Sequence, residues 1–153
     1  MKNKEEILGK EGAVKEDLVL TAIKNHNKFK LPENLSQQEL QFSKLIRDAD
    51  KLDILKVLTE YYSNRNSVPN HTLTWELPKG VSVSKNVVKE IMVGKLVSKA
   101  NVVSEIDVKI MQMSWVYDLN FRPSFEYLLQ NRFLETIYKT LPKNDLIIEI
   151  YRK

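Results

Sequence analysis

Between Lys44 and Leu58 the chain reads KLIRDADKLDILKVL, a run that sets Arg47, Asp48, Asp50, Lys51 and Asp53 among residues with helical spacing. Phe42, Ile46, Asp50, Ile54, Val57 and Tyr61 recur at intervals of three and four, which places Asp50 in the middle of an apolar stripe. Moving a carboxylate from water to such a position is costly unless it is paired, hydrogen-bonded or bound to a metal. Asp53 follows one turn later beside the same stripe. The plain reading is a ladder of helix-surface ion pairs, Lys44 with Asp48, Arg47 with Asp50 and Asp48 with Lys51. The chemical reading gains from His26, which stands on the apolar face of the preceding helical segment. A histidine and an aspartate on adjacent helices joined by a short loop are suited to a metal site in a helical bundle.

The elements that would hold these residues are helical. In EDLVLTAIKNHN, Glu16 to Asn27, the residues Val19, Ala22, Ile23 and His26 form one face of an amphipathic helix. Pro32 and Asn34 break it, and Ser36 with Glu39 has the form of a capping box opening a helix from Gln37 to about Ser63. An irregular connection spans residues 64–83 and contains Pro69, Pro78 and Gly80, with Trp75 as its expected anchor. Val81–Val83 is the only stretch with the composition of a short strand. Ser84 is placed to cap a helix through Lys95, Ser104 one through Leu119, and Pro123 suits the first turn of PSFEYLLQN. RFLETIYKTL and DLIIEIYRK complete an all-α reading. Asp107, Met111, Ser114 and Asp118 fall on one helix face as a polar thread. There Asp118 and Asn120 either contribute to a pocket or satisfy backbone groups before Pro123.

With 153 residues, 42% of them hydrophobic and 29% charged, the chain reads as one globular domain, residues 1–153. It has no cysteine, which excludes disulfides, thiolate metal ligands and cysteine nucleophiles and suits a cytoplasmic location. No segment approaches the length of a membrane span, so no membrane role is expected. The net charge of +4 is spread over basic residues interleaved with 20 acidic ones, a pattern that argues against nucleic-acid binding. No glycine-rich phosphate loop, nucleophile elbow or zinc-protease helix is present.

The stretch AIKNHNKFKLPENLSQQELQFSKLIRDADKLDIL resembles the second half of the HD superfamily of metal-dependent phosphohydrolases, in its bacterial branch of small hydrolases. There an HN or HH pair ends one helix, and an ADKL or ADRL element on the next supplies the last metal-ligating aspartate. MQMSWVYDLNFRPSFEYLLQ, Met111 to Gln130, resembles the helices downstream of that element. The resemblance implies a partial HD-type helical bundle. It casts Asp50 as a metal ligand and His26 as a ligand of the metal or of the substrate phosphate. Lys51 becomes a catalytic cation facing phosphate, and Arg47, Asp48 and Asp53 brace the ligands. Asp118 and Asn120 are the further pocket candidates. The implied cofactor is a divalent metal ion (Mn, Mg, Fe, Ni or Zn), and the implied substrate a small phosphate ester or nucleotide.

The family is named for a His-Asp dipeptide, with a further histidine, on two helices upstream of this region. The two histidines here read HN at His26 and HT at His71, so those helices are expected to lie outside this chain. Two protein ligands fall short of the four to six that divalent cations prefer. The expectations are therefore little phosphohydrolase activity in the isolated chain, or a catalytically silent HD scaffold serving interaction or regulation. A homo-oligomer, or another chain supplying the missing helices, is expected to cover the stripe Phe42, Ile46, Ile54 and Val57 and the Val19/Ile23 face.

Overall fold

The computed structural model describes residues 12–64 and 75–153, with side chains described from residue 16 onward. His71 lies outside the described residues. Among them are seven α-helices and no strand: α1 (Gly12–Asn25), α2 (Gln37–Ser63), α3 (Lys85–Met92), α4 (Glu105–Ser114), α5 (Arg122–Gln130), α6 (Phe133–Lys139) and α7 (Asp145–Arg152). Two 3-10 turns, Lys99–Asn101 and Trp115–Asp118, complete the elements. The fold class is all-α. Val81–Val83 is irregular rather than a strand, and the expected helix from Ser104 to Leu119 tightens to a 3-10 turn after Ser114. The chain divides into two compact units, Met1–Asp50 and Lys51–Lys153, with α2 passing from the first into the second.

In the first unit, the capping box opening α2 forms as the sequence implies. The Ser36 amide and hydroxyl donate to Glu39 Oε2 at 2.8 and 2.7 Å, and the Glu39 amide returns a bond to Ser36 Oγ at 3.3 Å. These donors hold the Glu39 carboxyl below the usual carboxylate range. The buried side of α1 is not the one expected. Ala22 and Asn25 are buried, whereas Val19 and Ile23 are exposed and His26 is half-buried. Among the described residues of this unit Ala22 is the only buried apolar side chain; Asn25, Ser43, Arg47 and Asp48 are the other buried ones. The interior here is polar and must be satisfied by hydrogen bonds.

The second unit holds the apolar core, which runs from Leu55 on α2 through Val87 and Ile91 on α3 to Ile106 and Ile110 on α4. It continues through Leu128, Phe133 and Ile137 to Ile147 and Ile150 on α7. Helix α4 lies at its centre, against α3 and α6, and every one of its residues except Glu105 and Lys109 is buried, as expected of a helix covered all round. Its start is fixed by Ser104, whose Oγ accepts from the Asp107 amide at 3.2 Å. Helix α7 starts in the same way, with Asn144 Oδ1 accepting from the Ile147 amide at 3.0 Å. Helix α5 begins at Arg122-Pro123, where proline lacks an N–H that would be unpaired in any case. On α2, Tyr62 donates to Gln112 Oε1 at 3.0 Å, and burial pushes its hydroxyl up to about 12. Lys109 rests over the Tyr62 ring at 5.0 Å, and burial lowers its ammonium below the usual lysine range.

The segment leading into α3 is fastened to the start of α4. Trp75 packs against the core with Lys99 Nζ 4.4 Å from its ring centroid, which bears out its role as anchor. The Glu105 amide donates to the Pro78 carbonyl at 2.8 Å. Gly80 sits at φ +71°, where a Cβ would lie 2.7 Å from Ser104 Cβ. Gly94 also has a positive φ, +68°, but its nearest neighbour would be Tyr117 Cε1 at 3.6 Å. Left-handed backbone alone costs a residue with a side chain about 1–2 kcal/mol. Gly94→Ala should therefore destabilise by about 1 kcal/mol. Gly80→Ala adds the collision with the α4 cap and should cost about 3 kcal/mol. Urea unfolding of the two variants checks the order; equal losses would contradict it.

Candidate functional site

The inward side of α2 runs Ser43, Arg47, Lys51, Leu55 and Leu58, with Asp48 and Thr59 beside it. This corrects the apolar stripe. Phe42, Ile46, Asp50, Ile54 and Tyr61 are half-buried at its flank, and Val57 is 47% exposed. The deeply buried aspartate is Asp48, at 1% exposure, and Asp53 is exposed. Counting apolar residues alone placed the buried face too far round the helix, because the first half of the true face is polar.

Within the first unit, Arg47 reaches the end of α1. Its Nη1 donates to the carbonyls of Asn25 and His26, each at 3.2 Å, and to that of Lys28. The last carbonyls of a helix have no partner in the helix itself, and a buried guanidinium supplies them. Arg47 thus holds the turn that carries His26. The His26 ring is half-buried, with Nδ1 2.6 Å from the Ile23 carbonyl. A carbonyl only accepts, so a neutral ring in this contact carries its proton on Nδ1 and leaves the Nε2 lone pair open. That is how histidines are commonly oriented toward a ligand. His26 is bonded to its own helix and not to Asp50. Asp48 is buried and engaged. Asn25 Nδ2 donates to the Thr21 carbonyl at 2.9 Å, whereas Asn25 Oδ1 and Ser43 Oγ are buried with no hydrogen-bond partner. Asp50, half-buried on the flank of α2, is engaged by no described residue.

Within the second unit, Lys51 Nζ pairs with Asp118 Oδ2 at 2.6 Å. The lysine side chain is 10% exposed and the aspartate 22%. The sequence offered no signal for this contact, since the partners are far apart in the chain. The ammonium implied to face phosphate therefore already carries a counter-charge. Asn120 is exposed, and its Nδ2 donates to the Asp118 carbonyl at 2.9 Å, which fits backbone satisfaction at the end of the 3-10 turn better than a pocket.

The polar thread on α4 is buried and is the other feature that sequence reasoning undervalued. Asp107 is fully buried and accepts from the Ser84 amide at 2.8 Å, the Ser84 hydroxyl at 2.7 Å and the Val103 amide at 3.1 Å. Ser84 occupies the cap position of α3, yet its hydroxyl makes no bond to that helix, because Asp107 takes it. Ser114 Oγ accepts from the Val97 amide at 2.9 Å and donates to the Met111 carbonyl at 2.6 Å. These groups join the segments around the core and leave no free reactive atom.

Among the described residues no group of three or more His, Cys, Asp or Glu side chains is placed to hold a metal ion. His26 and Asp50 remain two separate donors, so the residues described here do not fit a complete metal centre. No helix among them is long and apolar enough to cross a membrane. Compared with family models, with curated proteins and with solved structures, the chain finds no match.

Proposed function

We propose that this chain is part of an HD-type, phosphohydrolase-like helical domain, and that on its own it carries an incomplete ligand set, Asp50 and His26, with little or no turnover of phosphate esters. The observation that carries this reading is the state of Asp50 relative to its neighbours. Arg47, Asp48 and Lys51 are buried and engaged in hydrogen bonds or ion pairs, while Asp50 keeps a half-buried carboxylate that no described residue engages. A half-buried carboxylate without a partner is available to a cation, and a cation site is a reason to keep one there. The open Nε2 of His26 agrees with the same use. The resemblance of RDADKLDI and IKNHN to the HD family supplies the class of chemistry.

A calorimetric titration with Mn2+ tests the reading. Weak binding is expected, lost in Asp50→Ala and in His26→Ala, together with negligible hydrolysis of an aryl phosphate. Binding unchanged in both variants would remove the ligand assignment. Robust Mn2+-dependent hydrolysis abolished by Asp50→Ala would instead show that the chain is complete.

A second reading, a catalytically silent HD scaffold used for interaction or regulation, is favoured by the Lys51–Asp118 pair, which neutralises the cation that catalysis would use. On that reading Asp50→Ala changes neither metal binding nor stability.

A further inference from the structure

We propose that Asp118 is an internal counter-anion masking an anion site at Lys51, and that the anion this site takes is of the phosphate class. The choice of phosphate rests on the phosphohydrolase-like reading above; the masked site rests on the geometry. Lys51 is buried, and its ammonium has three N–H donors that need acceptors. One acceptor is Asp118 Oδ2 at 2.6 Å, a distance that a phosphate oxygen would also take from an ammonium. Asp118 is the more exposed of the two, at 22% against 10%, so once its carboxylate is removed an anion can reach the ammonium from solvent without unpacking the lysine. Asp118 also stands at the end of the short turn Trp115–Asp118 rather than within a long helix, so its truncation does not interrupt a helical ladder. A buried ammonium stripped of its counter-charge is strongly disfavoured, and a small anion from solution relieves that.

The test is chemical rescue of Asp118→Ala in thermal unfolding, with inorganic phosphate, formate and chloride compared at matched ionic strength. The variant should melt well below the parent in chloride. Phosphate in the tens of millimolar should recover several degrees, more than formate does, and Lys51→Met/Asp118→Ala should show no phosphate-specific gain. If Asp118→Ala is unfolded in chloride, return of helical circular dichroism on adding phosphate counts for the proposal, and no return counts against it. Equal rescue by formate would mark a carboxylate-sized socket and overturn the phosphate assignment. Absence of rescue, rescue that survives loss of Lys51, or the same phosphate gain in the parent chain would overturn the masked site. Failure here leaves the Mn2+ titration of Asp50→Ala and His26→Ala standing. A failed titration beside a successful rescue would remove the HD reading and keep the anion site.

Discussion

Asp107→Ala is expected to destabilise the second unit by about 4 kcal/mol, among the largest losses any single truncation here should cause. The carboxylate has no exposure and accepts three hydrogen bonds, from the Ser84 amide and hydroxyl and from the Val103 amide. Truncation leaves two backbone N–H groups without an acceptor, and each such orphan costs about 1–3 kcal/mol when water cannot reach it. The bonds also join three pieces of chain: the start of α3, Val103 just before the α4 cap, and α4 itself. Their loss loosens the entry to α3 and the start of the central helix together. Asp107→Asn keeps one acceptor but turns an amide N–H toward donors, so it should recover less than half of the loss. A double-mutant cycle with Ser84→Ala separates the shares. Coupling near zero between the two positions, or a loss under about 1 kcal/mol for Asp107→Ala by urea unfolding, would defeat the argument.

Asp107 also shows how far the sequence could be read. Its helix was legible: Ser104 as cap and the apolar residues from Ile106 onward mark the start of α4, and the capping box of α2 formed between the residues that spell it. Local signals of this kind depend on neighbours three or four residues away, so they survive without knowledge of the tertiary fold. The inward face of α2 depends on more. Arg47 and Lys51 are buried because the Asn25, His26 and Lys28 carbonyls and the Asp118 carboxylate meet them, and none of these partners lies within a helical turn of the residue it serves. Hydrophobic periodicity scores such residues as exposed and rotates the face toward Phe42, Ile46 and Val57. It therefore assigned the buried acid to Asp50 when Asp48 is the buried one. The same error hid the Asp107 network. There the pattern revealed a polar thread, but only the fold reveals that Ser84 and Val103 point their donors at it.

Arg47 carries the second large effect expected. Arg47→Met keeps much of the side-chain volume and removes the guanidinium, and it should destabilise the protein by about 3–5 kcal/mol. The side chain is 2% exposed, and one nitrogen serves the carbonyls of Asn25, His26 and Lys28 at the end of α1. Losing the guanidinium removes a donor from these buried and partly buried carbonyls, of which Asn25 keeps the Lys28 amide at 3.2 Å, and little apolar packing compensates, because Ala22 is the only buried apolar side chain described in the first unit. Arg47→Lys retains a charge but not the planar fork, so it should recover part of the loss only. The damage should be local as well as global. Amide hydrogen exchange in the last turn of α1 should quicken first, since that turn loses its acceptors' partner. His26 rides on the same turn, and its Nδ1 bond to the Ile23 carbonyl should weaken. In nitrogen NMR the neutral form of the parent ring should show the Nδ1–H tautomer, and that of the Met variant a mixture of tautomers. An Arg47→Met variant with parental stability, unchanged exchange at His26 to Lys28 and the same ring tautomer would show that the arginine neither holds the turn nor sets the histidine.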